Sequence, residues 1–126
     1  MFDDDDPFLG RVRELALALP DAAEKVSHGR PAFFTTKVFA YYGGSEKIGD
    51  GYQRHGSSLL VLADPIELPA LRDHPRGYLP MYVGVSGWIG LDLDEHTDWD
   101  EVAELVDMSY RLTAGPRRVK ALDARR

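Results

Sequence analysis

The sequence predicts an α+β domain, a mainly antiparallel sheet with helices packed on one face. Three observations predict it. Helical and strand patterns follow one another in the order helix, strands, helix, strands, helix. The apolar runs between the helical segments are short and joined by turn residues, which suits antiparallel neighbours. Finally, 126 residues with 44% hydrophobic and 29% charged side chains can bury one core but not two. Residues 1–126 are therefore read as one domain, with an acidic start at 1–6 and a basic end at 117–126.

Asp6 followed by Pro7 reads as an N-cap and first helical residue, and Phe8, Val12, Leu15, Ala16 and Leu19 recur on one face until Pro20. From Pro31 to Tyr42, aromatic and β-branched residues suggest two short strands turning at Thr36 and Lys37. Glycines at 43, 44, 49, 51 and 56 make residues 43–56 a long mobile loop bearing Lys47, Arg54 and His55. Ser57 to Ala63 has the length of a buried strand, and Asp64-Pro65-Ile66-Glu67 reads as a capping box opening a short helix closed by Pro75. Tyr78–Val85 and Trp88–Leu93 read as strands. Asp98 with Glu101, or Thr97 with Asp100, starts the last long helix, with Trp99, Val102, Ala103, Val106, Tyr110 and Thr113 as its buried stripe and Gly115-Pro116 as its stop.

Several chemistries are excluded by composition. With no cysteine there is no disulfide, thiolate metal site or cysteine nucleophile. With no asparagine, no mechanism that requires its amide is open. The four histidines lie 27, 19 and 22 residues apart, outside zinc-ligand spacing. His28, before Gly29-Arg30-Pro31, is either a buried hydrogen-bonding residue or a ligand contact. The acids from Asp92 to Asp100 suggest a calcium loop, but Thr97 stands at the sixth position where such a loop turns on glycine, and Ala103 at the twelfth where it needs glutamate. They are read instead as a strand end and a helix N-terminus. No apolar run approaches the roughly 20 residues that span a bilayer. The acidic start is unlike a secretory signal, so a cytoplasmic location is expected. Charge is uneven: from Arg111 onward six basic residues face one acid, a net of +5, leaving −11 on the other 110 residues.

Three segments together resemble the MmcQ/YjbR family. They are Leu17–Pro20 followed by His28-Gly29-Arg30-Pro31-Ala32-Phe33; Leu59–Asp64 running into Pro65; and Pro80–Leu93 followed by a helix holding Ser109-Tyr110. The resemblance covers roughly residues 8–122 and implies a CyaY-like fold, and family members are commonly described as DNA-binding. Many relatives carry basic residues between the Pro-x-Tyr and Trp elements, whereas Val83–Gly87 has no charge here.

The reading is of a binding protein and not an enzyme, without cofactor or metal, whose expected activity is weak, sequence-independent nucleic-acid binding. Arg30, Lys37, Lys47, Arg54, Arg117, Arg118 and Lys120 are the candidate phosphate contacts, since such contacts come mainly from Arg and Lys. The alternative is a protein or small-ligand adaptor using a sheet face with Phe39, Tyr41, Tyr82 and Trp88. A concave pocket beside these rings would favour the adaptor; a continuous basic surface would favour nucleic acid.

Overall fold

A computed structural model describes residues 2–125, the side chain of Val85 excepted. Met1 of the acidic start and Arg126 of the basic end lie outside the described residues. The chain runs α1 (Pro7–Leu17), β1 (Ala23–Ser27), β2 (Arg30–Phe34), β3 (Val38–Ile48), β4 (Gly51–Leu62), α2 (Leu68–Arg72), β5 (Gly77–Tyr78), a 3-10 turn (Gly84–Ser86), β6 (Trp88–Asp92), α3 (Trp99–Thr113) and α4 (Pro116–Asp123). All strand pairs are antiparallel, in the order β1-β2-β3-β4-β6-β5.

Register decides which side chains share a face. Phe33, Ala40, Val61 and Ile89 lie opposite one another across four strands, and Tyr42, Leu59 and Leu91 form the next row on that face. Against these rows pack Leu9, Val12 and Ala16 of α1 and Val102, Leu105, Val106 and Tyr110 of α3, all buried. Phe39 is the extra residue where β2 and β3 slip register. It joins this core, meeting Tyr110 edge-on with ring centroids 5.4 Å apart. Ser109 ties the slip to α3: its hydroxyl donates to the Phe39 carbonyl and accepts the Leu62 N–H, so a buried polar group is satisfied on both sides.

Helix starts follow local chemistry. Asp6 accepts the Phe8 N–H ahead of Pro7, and Asp98 accepts the N–H groups of Asp100 and Glu101, deciding between the two starts read for α3. Asp98→Ala is expected to lower stability by about 1 kcal/mol, measurable as a shifted denaturation midpoint. A neutral result would mean that Thr97 or water serves the same donors.

Three expectations need correction. Residues 43–56 are not a loop: β3 and β4 run through them as one long hairpin, turning at Gly49-Asp50 with Gly49 at φ +57°. The glycines had suggested mobility, but Gly49 supplies the left-handed conformation of a two-residue turn. Residues 78–85 are not a strand. β5 stops at Tyr78, and the chain then crosses the face of the sheet opposite the helices until the Met81 N–H donates to the Ser45 carbonyl. The capping box after β4 is incomplete: Asp64 accepts the Ile66 N–H, but α2 begins only at Leu68 and Glu67 makes no side-chain cap. Trp88, whose register opposite Leu62 sets it on the face away from the helices, packs against Tyr41.

Candidate functional site

β2 begins only at Arg30, while antiparallel β3 continues past that level to Ile48, so the edge of β3 is open beyond its neighbour. A pocket of about 490 Å³ occupies this notch, within the range of small-molecule sites. Its walls are the His28-Gly29 turn and Arg30, the β3 stretch Tyr41–Ser45, Arg54 and Gly56 of β4, residues 81–83, and Phe2. Gly43, at φ +88°, marks where the β3–β4 register slips and bends the strand to shape the floor.

Arg30 crosses this notch. Its guanidinium lies over the Tyr41 ring, 4.4 Å from the centroid, and one Nη donates to the Gly43 carbonyl at 3.0 Å. Its buried Nε finds no acceptor among the described residues. Burial pulls its pKa below the ordinary arginine value, with Tyr41 and Tyr78 opposing. Tyr41 is in turn tilted against Trp88, with centroids 5.4 Å apart.

Of the three non-glycine residues with positive φ among the described residues, two line this pocket, His28 at +54° and Tyr82 at +69°. His28 is explained by its position: with Gly29, also left-handed, it makes the two-residue turn between β1 and β2. Tyr82 is different. It sits at the centre of a three-residue turn closed by Val83 N–H to the Met81 carbonyl at 2.8 Å, a strained geometry for a residue with a side chain. Such strain costs about 1–3 kcal/mol and gathers at ligand clamps. The Tyr82 side chain is 88% exposed, so burial of its ring does not compensate.

Beside the pocket lies a polar cluster. His55 Nδ1 meets Asp92 at 2.7 Å and its Nε2 meets Glu46 at 3.1 Å, while its ring stacks on Tyr78 with centroids 3.8 Å apart. The Tyr78 hydroxyl bonds Ser58 at 2.7 Å, and burial raises the Tyr78 pKa well above the ordinary phenol value. With both ring nitrogens on carboxylates, His55 fastens β3, β4 and β6 together.

The family profile for YjbR matches residues 17–112. The chain belongs to the YjbR family. No curated protein matches it in sequence. Two crystal structures share the YjbR chain's fold. One is of a protein from Pseudomonas syringae, with 19% identity, 88% of this chain and 99% of that one covered, and a TM-score of 0.64. The other is of protein DR2400 from Deinococcus radiodurans, described by the domain name DUF419, with 20% identity, 91% and 87% covered, and a TM-score of 0.63.

In this YjbR chain the candidate phosphate contacts fall into separate places. Arg30 and Arg54 line the pocket. Lys47 is exposed near the tip of the long hairpin, opposite Tyr52. Lys37 is exposed at the other end of β3, about 30 Å away at the usual rise per strand residue. Arg118 bonds Asp21 and Thr36, which brings α4, with exposed Arg117 and Lys120, beside the turn that holds Lys37. Of the four rings proposed for a sheet face, Tyr41 and Trp88 do share one, Tyr82 stands at the pocket mouth, and Phe39 belongs to the opposite core.

Three of the acids read as a false calcium loop, Asp92, Asp94 and Asp98, are otherwise engaged, Asp92 by His55. Asp98 caps α3, and Asp94 bonds Arg76 and accepts the His96 N–H, which lowers its pKa below the usual carboxylate value. At the acidic start, Asp4 pairs with Arg13 and Asp6 accepts the Tyr42 hydroxyl. The cluster around His55 was not visible in the sequence, since Glu46, His55, Tyr78 and Asp92 meet only through strand register.

Proposed function

We propose that this chain is a cytoplasmic, non-enzymatic binding protein that takes a small ligand in the notch beside β3. The observation that carries this reading is the strained, exposed Tyr82 at the mouth of a pocket crossed by an incompletely bonded arginine. Engagement of both His55 nitrogens across β3, β4 and β6 supports a structural role for that side chain. That no helix among the described residues is long and apolar enough to cross a membrane agrees with a ligand met in water. The test is a titration of a mixed set of acidic, basic and neutral small molecules followed in 15N–1H spectra. Shifts are expected at Gly29, Gly43, Gly44 and Gly56. Tyr82→Gly, which relieves the left-handed strain, is expected to weaken them without lowering stability. Shifts scattered over the surface, or none, would overturn the reading.

A second reading, weak nucleic-acid binding, is favoured by the contact between Arg118 and Thr36, which groups Lys37, Arg117, Arg118 and Lys120 at one end. Duplex binding there would fall with salt at a log-log slope of about −0.9 per phosphate contacted. Arg117→Glu is the cleanest probe, because Arg118 also holds Asp21. It is expected to weaken binding to all sequences alike and to make the slope shallower. Binding indifferent to salt and to this change would remove the reading.

A further inference from the structure

The lining of the notch departs from the charge of the chain around it. The sequence holds 21 acidic residues against 15 basic ones, and the body before Arg111 is strongly acidic. Yet the described residues that line the pocket include Arg30, Arg54 and His28 and no carboxylate. Elsewhere in this protein, arginines with reduced exposure find acids: Arg13 bonds Glu24 and Asp4, Arg111 bonds Asp107 and Asp123, and Arg118 bonds Asp21. Arg30 instead rests on an aromatic ring and a peptide carbonyl, and its Nε–H has no acceptor among the described residues. A half-buried guanidinium without a carboxylate partner is incompletely satisfied, and its planar fork matches the two oxygens of a carboxylate or phosphate. The rest of the lining is glycine, Ser45 and apolar or aromatic side chains, among them Phe2, Met81 and Tyr82.

We infer that the ligand is a small aromatic anion, a flat ring bearing one carboxylate or phosphate group, with the anion on Arg30 and Arg54 and the ring against Tyr82 and Met81. This rests on the pocket reading and adds the sign and shape of the occupant. Carboxylate and phosphate are the shared chemistry. Aromatic acids and nucleotides are its two sources.

The experiment uses matched pairs: benzoate against benzamide, and adenosine monophosphate against adenosine, each titrated into the 15N-labelled protein with the Arg30 Nε–H resonance observed. At least one anion is expected to move that resonance and those of Gly43 and Gly44, and to bind about tenfold or more tightly than its neutral partner, the size of a charge-assisted hydrogen bond. Which pair responds distinguishes the sources. Arg54→Gln, at an exposed position, is expected to reduce anion binding and leave the folded spectrum intact; Arg30→Gln should abolish it. Neutral partners binding at the same glycines as tightly as the anions would overturn the charge assignment while leaving the pocket reading in place. No response at the notch from any of the four probes would overturn both.

Discussion

Phe39→Ala is expected to destabilise the protein by about 3–5 kcal/mol, a large share of the stability of a domain this size. The ring is fully buried, packs edge-on against Tyr110, and sits where β2 and β3 slip register. Its own carbonyl accepts the Ser109 hydroxyl, so a cavity here opens beside the link between sheet and α3. The neighbours are poorly placed to collapse into it. Tyr110 is held by its hydroxyl on the Pro20 carbonyl at 2.8 Å, and Ser109 by its two partners. Urea denaturation measures the loss as a lower midpoint at unchanged slope. Phe39→Leu, which keeps most of the volume, should recover most of it. A loss below about 1 kcal/mol for Phe39→Ala would show that the core closes over the gap, contrary to the packing described.

Gly90→Ala is expected to cost about 1–3 kcal/mol although it adds a single methyl group. A Cβ at this position would clash with the ring carbons of Tyr78, which lies over Gly90. The ring cannot swing aside freely, because His55 stacks on it and Ser58 bonds its hydroxyl. A methyl group therefore moves Tyr78, and Tyr78 is half of the two-residue strand β5. The test is a double-mutant cycle with Tyr78→Ala. If the clash is the cause, Gly90→Ala should cost far less once the ring is gone, and the two changes together less than their sum. Strict additivity would place the cost in the backbone instead.

How far these features could be read in advance depended on whether the cause was local. Helix starts and stops were legible because Asp6-Pro7, Asp98 and Gly115-Pro116 act on their own neighbours. The family resemblance was legible as a residue pattern, whereas the role of Ser109-Tyr110 within it was not, because these two residues hold Phe39 and Pro20 from 70 and 90 residues away. The long hairpin was misread because glycine marks both mobile loops and tight two-residue turns, and composition does not separate the two. Of the notch, Arg30, Arg54, Tyr41 and Tyr82 had each been named, but as members of different hypotheses. What joins them is β3 running past the level at which β2 begins, and that length difference is a property of pairing. The His55 cluster lay further out of reach, since its carboxylates are 9 and 37 residues away and meet through register alone.

The sheet has one more consequence, for how the protein behaves when crowded. β1 pairs only with β2, so its outer backbone groups face away from the sheet, the arrangement that lets one chain template another into aggregates. β1 is five residues long, and Glu24 and Lys25 occupy its middle. The carboxylate of Glu24 is bound by Arg13 from α1, and the Lys25 ammonium lies over Phe34, 4.7 Å from the ring centroid. Exposed Val26 is thus an isolated apolar residue beside charge, and an incoming strand would have to bury that charge in order to pair. At the opposite edge β5 offers two residues, too few to seed a ladder. The same brevity that makes both outer strands easy to overlook in the sequence guards the sheet against growing by addition of its own kind.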